Sequence, residues 1–206
     1  MALSTYSELK TSIASWLHRD NLTTVIPDLI DLCETKFNRV LRLSTMEVRS
    51  TATLDQQYET VPSDFLEMRS IQLTGGSGGM LAYLTPQQAN DTFKSTETGI
   101  PRFYSIVDST IVFYPPPGGS YDMEMLYYKA IPALSDSATT NWMLTNHPDV
   151  YLYGSLKEAE AFIKNDPRIA TWKQQYEEAI AQVMAADQRA RWSGGPMQIR
   201  AGMFNP

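Results

Sequence analysis

A chain of 206 residues with a formal charge of −6 is long enough for one substantial domain or two small ones. Its acidity argues against a general nucleic-acid-binding surface, which needs Lys and Arg to neutralise phosphates. The single cysteine, Cys33, excludes an intramolecular disulfide and suits a reducing cytoplasm, and no stretch approaches the roughly 18 uninterrupted apolar residues of a membrane span, so a soluble protein without a signal segment is expected.

Thr5-Tyr6-Ser7-Glu8 has the capping-box pattern, and Leu9, Ile13, Trp16 and Leu17 follow on one helical face. Asp20 and Asn21 break this first helix. Pro27 restarts a second, with Leu29, Ile30, Cys33, Phe37, Val40 and Leu41 as its apolar positions. The spacing makes Cys33 a buried small hydrophobe. Lys36, Arg39 and Arg42 gather near the carboxyl end, where positive charge suits the helix dipole.

From Ser44 the period changes from helical to alternating, with Met46, Val48, Ser50, Ala52 and Leu54 on one side of an extended segment. Val61-Pro62-Ser63-Asp64-Phe65-Leu66 interrupts the strand pattern as a turn, because proline does not serve a central strand. Strand character resumes over residues 67 to 74. Gly75-Gly76-Ser77-Gly78-Gly79 lacks the Lys-Ser or Lys-Thr of a phosphate loop and reads as a hairpin tip leading back along Met80 to Leu84, able to touch a neighbouring molecule. Thr85-Pro86 starts a short polar helix over 86 to 94 that crosses a sheet edge. Two strands follow, Phe103 to Val107 and Thr110 to Tyr114, joined tightly by Asp108-Ser109. The Pro115-Pro116-Pro117-Gly118-Gly119 turn leads to a last strand, Tyr121 to Lys129, with Tyr121, Met123, Met125 and Tyr127 on one face.

Residues 141 to 147 read as a loop turning at Pro148 into a third helix that runs to Asn165, with Thr145 or Asn146 as the capping oxygen and Leu152, Leu156, Ala159, Phe162 and Ile163 on its inner stripe. Gly154 in mid-helix costs about 1 kcal/mol relative to alanine, which close approach of another helix would explain. Asp166-Pro167 then begins a fourth helix with Ile169, Trp172, Tyr176, Ile180 and Val183 inward, and the short link makes helices three and four an antiparallel pair. From Gln188 onward no stripe is visible. The segment holds Arg189, Arg191 and Arg200 without an acidic residue, and Trp192, Met197, Ile199, Met203 and Phe204 would be wasteful on an idle tail.

These elements predict an α+β protein: a four-helix bundle formed by both ends of the chain, residues 1–43 and 135–190, with an inserted antiparallel β module over 44–134 and an extended, flexible tail over 191–206. The residues offer little chemistry. His18 and His147 sit at helix boundaries with no nucleophile signature beside them, and zinc, EF-hand, dinucleotide and nucleophile-elbow patterns are absent from the sequence. Asp64 and Glu67 are close, but carboxylates at that spacing are common on turns. No enzyme activity, cofactor or metal is therefore expected. A ligand- or glycan-binding β module is the alternative, suggested by Tyr83, Phe103, Tyr104, Tyr114, Tyr121 and Tyr127, although such aromatics serve a sheet core equally well.

The string Asn141-Trp142-Met143-Leu144-Thr145-Asn146-His147-Pro148-Asp149-Val150-Tyr151-Leu152-Tyr153-Gly154 resembles a segment of the head-to-tail adaptor, or connector, proteins of tailed bacteriophages. Tyr6 to Leu17, Val61 to Leu66, Leu84-Thr85-Pro86 and Tyr127 to Ser135 carry the same resemblance, which spans the chain to about Ala190. It implies a structural virion protein at the portal vertex, made in the host cytoplasm, with no membrane partner. It also implies a ring of twelve copies on the portal protein that extends the DNA exit channel without sequence-specific contact and receives downstream tail proteins such as nozzle, stopper or tube. The tail residues Arg189, Arg191, Trp192, Ile199, Arg200, Met203 and Phe204 are then the expected portal-binding set, and Gly76, Ser77 and Gly78 the expected tail-protein-facing tip.

Overall fold

The computed structural model of the chain describes residues 3–18, 20–75, 78–93, 97–162 and 166–192. It is α+β, and it divides into two compact units, Met1–Ser44 with Ile131–Pro206, and Thr45–Ala130. In chain order the elements are α1 (Tyr6–Leu17), α2 (Ile26–Val40), β1 (Glu47–Leu54), β2 (Tyr58–Thr60), β3 (Phe65–Leu73), β4 (Ala82–Tyr83), α3 (Pro86–Thr92), β5 (Phe103–Val107), β6 (Thr110–Tyr114), β7 (Tyr121–Lys129), α4 (Trp142–Asn146), α5 (Pro148–Glu158) and α6 (Arg168–Trp192).

The capping box closes α1 as its sequence asks: the Glu8 amide donates to Thr5 Oγ1 at 3.3 Å and the Thr5 amide to Glu8 Oε2 at 3.1 Å. Leu9, Ile13 and Leu17 form its buried line. Trp16, expected beside them, is 42% exposed and instead meets Tyr153 edge-on, with ring centroids 5.9 Å apart. In α2, Leu29, Ile30, Cys33 and Phe37 are buried, whereas Val40, also expected inside, is 59% exposed. The backbone turns extended at Leu41, and that fully buried side chain takes the inward place.

Helix α5 packs against α1, α2, α4 and α6. A helix so surrounded buries more than one stripe, and Val150, Tyr151, Leu152, Gly154, Ser155 and Leu156 are all buried. The segment before it is not a loop. Asn141 caps α4 by accepting the Leu144 amide at 2.8 Å, and α5 begins at His147–Pro148 without a side-chain cap, so neither Thr145 nor Asn146 plays the expected part. Helix α5 also stops early, at Glu158, and continues only as a 3-10 turn, Ala159–Ala161. Phe162 follows at 47% exposure instead of on the inner stripe, and residues 163–165 lie outside the described residues. Gly154 meets two helices at once: a Cβ there would collide with Cys33 Sγ of α2 and lie 3.1 Å from Tyr176 Cε2 of α6.

In α6, Trp172, Ala179 and Val183 are buried, while Ile169, Tyr176 and Ile180 are half-buried. The helix runs on through Gln188 to Trp192, so Arg191 and Trp192 are helical and do not belong to an extended tail. The Arg189 and Arg191 side chains turn back along the helix to Ala185 O and Asp187, which supplies local support to its last turn.

The second unit holds two sheets, ordered β1-β7-β3 and β2-β6-β5-β4. The β5–β6 hairpin pairs Val107 with Thr110 across Asp108 and Ser109, and Asp108 takes φ 53, which short polar side chains tolerate. Strand β7 sits centrally, with Met123, Met125, Tyr127 and Tyr128 buried. Leu54, Ile71, Leu73, Leu81, Tyr104, Ile111, Phe113, Met123, Met125 and Tyr127 form one hydrophobic cluster drawn from both sheets. The expected return of Met80 to Leu84 along residues 67 to 74 is confined to a bridge at Gln72 and Met80. The chain then changes sheet, and β4 pairs parallel with β5, so the module is not wholly antiparallel. Burial of Leu81 in the shared core draws it across.

Candidate interaction surfaces

The end of α6 is a polar junction of the helical unit. Asp187 Oδ1 accepts the Ser44 amide at 2.8 Å and the Ser44 hydroxyl by a short bond, while Asp187 Oδ2 accepts Arg191 Nε at 2.8 Å. Arg191 Nη2 also donates to Arg42 O at 3.5 Å, and Arg42 Nη1 bonds Asn38 O and Leu41 O at the end of α2. Burial alone would raise the Asp187 pKa, but the Ser44 amide and hydroxyl with the Arg191 guanidinium outweigh it and hold the carboxyl below its ordinary value. Trp192 ends the helix at 69% exposure. Of the residues expected to bind a portal, Arg189, Arg191 and Trp192 thus share the last turn of one helix, while Ile199, Arg200, Met203 and Phe204 lie outside the described residues.

The glycine-rich tip is built by backbone. The Gly78 amide donates to Gly75 O at 3.1 Å, and a Cβ on Gly78 would lie 2.5 Å from Leu73 O, so the turn closes only around a glycine. Gly78 is exposed, and Gly76 and Ser77 lie outside the described residues. The six aromatics that suggested a ligand-binding module are divided. Tyr104 and Tyr127 are buried, Tyr121 is half-buried against the hydrophobic cluster, Phe103 and Tyr114 pack on Phe93 at 5.6 and 5.5 Å, and only Tyr83 is exposed, edge-on to Tyr104.

A second polar cluster, buried in the helical unit, was not expected. Glu34 Oε1 accepts the Tyr151 hydroxyl and the Leu134 amide, both at 2.9 Å. Asn141 Nδ2 donates to Tyr151 Oη and to Pro132 O, both at 2.7 Å. Asn38 Oδ1 accepts the Ile131 amide at 2.8 Å. Burial pushes the Glu34 carboxyl up from its ordinary value although both donors pull it down, and burial with the Glu34 charge pushes the Tyr151 hydroxyl up. The cluster fastens the returning segment 131–134 to α2 and α5. Cys33 is 1% exposed, and burial pushes its thiol up, far from the thiolate a nucleophile needs. Asp64 serves structure, accepting the Tyr127 hydroxyl at 3.0 Å while its carbonyl takes the Ala130 amide. Among the described residues no group of three His, Cys, Asp or Glu side chains could hold a metal ion, and no helix is long and apolar enough to cross a membrane.

A family model described as SU10 adaptor protein matches residues 4–200. The chain belongs to that family. Its members are phage head-to-tail adaptors, in keeping with the resemblance noted in the sequence. No curated protein matches the chain. The match takes in both compact units of this SU10 adaptor and the whole of α6. Two polar features, the Glu34 and Asp187 carboxylates, were not anticipated from the sequence although signals existed. Glu34 stands four residues after Ile30 and three before Phe37, on the apolar face where a carboxylate needs a partner, and Asp187 stands four before Arg191.

Proposed function

We propose that this SU10 adaptor is a non-enzymatic structural virion protein that binds the portal as a ring of twelve, extends the DNA exit channel and presents an attachment site to tail proteins. The family match over residues 4–200 carries this reading. The four longer helices, α1, α2, α5 and α6, are read as a four-helix bundle into which the β unit is inserted, and the glycine tip around Gly78 is read as facing the tail. The portal grip is assigned to the end of α6 and the residues after it: Arg189, Arg191 and Arg200 as cations, Trp192, Ile199, Met203 and Phe204 as apolar anchors. Burying one large side chain is worth roughly 1.5–3 kcal/mol, so several anchors offset the entropy of ordering the segment, and repetition around a ring multiplies weak contacts.

The test is deletion of residues 192–206 followed by measurement of binding to the cognate portal protein. The expected result is loss of binding by a truncated protein whose circular dichroism and melting temperature match the full chain. Unchanged binding would place the grip in the helices.

A further inference from the structure

Resting on the reading that α6 leads into the portal grip, we propose that Asp187 is an autoinhibitory partner for Arg191: it holds that cation against the Ser44 crossover until an acidic group of the portal replaces it. Three observations support this. Arg191 is already engaged in the free protein, through Nε to Asp187 at 2.8 Å and Nη2 to Arg42 O. Asp187 does not face Arg191 alone. Its other oxygen holds the amide and the hydroxyl of Ser44, the last residue of the helical unit before the chain leaves for the β unit. The carboxylate is the sheltered partner: the Asp187 side chain is 12% exposed and that of Arg191 27%, while Arg191 as a residue is exposed and the neighbouring Trp192 stands open at 69%. One carboxylate thus joins a partner-binding cation to the start of the crossover.

Displacement has a direct consequence. Asp187 and Arg42 O occupy the Nε and Nη2 side of the guanidinium, so an acidic group that binds that edge in the bidentate mode replaces Asp187 there, and the cost of breaking its bond subtracts from the affinity gained. Once Arg191 departs, Asp187 loses its counter-charge and its hold on Ser44 weakens. By reciprocity, whatever loosens Ser44 favours the partner. Portal binding and release of the crossover are the two ends of one equilibrium.

The experiment uses the full chain and purified cognate portal protein. Asp187→Asn keeps the size and one acceptor but removes the charge that holds Arg191. It is expected to speed hydrogen exchange of the Ser44 amide about tenfold and to tighten portal binding about threefold or more at low salt. Ser44→Ala, which loses one of the three bonds and leaves the charge pair, is expected to tighten binding by less, and it serves in place of Asp187→Asn should that variant fail to fold. A folded Asp187→Asn protein whose portal affinity is unchanged or weaker overturns the proposal. Deleting residues 192–206 in the same assay separates the two ideas. Loss of binding there with no gain from Asp187→Asn removes the autoinhibition and keeps the grip, while unchanged binding removes the anchors from residue 192 onward and leaves the grip in the helices.

Discussion

Gly154 has no room for a methyl group. The Sγ of Cys33 and the ring of Tyr176 close over it from α2 and α6, so the mid-helix glycine, which sacrifices about 1 kcal/mol of helix propensity, is required by packing. Gly154→Ala gains that propensity and forces the neighbours apart, at a cost of about 1–3 kcal/mol, so the net change is destabilising. The conflict with Cys33 is specific. Adding Cys33→Ala removes the sulfur that collides and should restore a measurable part of the loss, giving a favourable coupling in a double-mutant cycle of thermal or urea unfolding. Simple additivity would mean that the Tyr176 ring, 3.1 Å from the added carbon, sets the whole cost.

Elements differ in how much of them the sequence disclosed, and the difference follows the range of the forces. The Thr5–Glu8 box, Pro27 in the first turn of α2 and the Asp108-Ser109 hairpin are local devices, and each lies where its residues indicate. The early end of α5, the exposure of Trp16 and Val40, and the parallel pairing of β4 depend on what other segments supply, and spacing along one segment does not record that. Of the candidate site, the last turn of α6 showed its cations but not that Asp187 engages Arg191. The return segment 131–134 shows how such a long-range element is fixed. It is tied to α2 through Glu34 and Asn38, and Asn141, which donates to both Pro132 O and the Tyr151 hydroxyl, links it to α5. Glu34→Ala should therefore cost about 1–3 kcal/mol for each buried donor left unpaired, the Tyr151 hydroxyl and the Leu134 amide. Glu34→Gln keeps the acceptor without the charge. Because burial raises the carboxyl's pKa in the folded protein, its contribution is fully present below the ordinary glutamate value and is lost as pH rises through the raised one. The melting temperature of Glu34→Gln should accordingly gain on the parent as pH climbs from the acid side toward neutrality. A difference independent of pH would show that the carboxyl titrates alike in both states.

For the whole molecule the deciding quantity is charge. Of the residues between Thr45 and Ala130, ten are acidic and five are basic, so most of the net −6 resides in the β unit and falls on every copy alike. Copies brought side by side in a ring repel one another, modestly at physiological salt, where the screening length is about 8 Å. On the proposed reading, a portal already built as a ring would supply twelve neighbouring sites, and binding at the first contact would convert the next into a local event at high effective concentration. The free protein is therefore expected to be monomeric or weakly associated and to become a ring on the portal. Multi-angle light scattering of the purified chain at micromolar concentration should report a mass near the 23.2 kDa of one copy, with the large species forming only after portal is added. A stable twelve-subunit ring of the protein alone would show that contacts between copies outweigh their charge, reversing the order of assembly while leaving the adaptor family untouched.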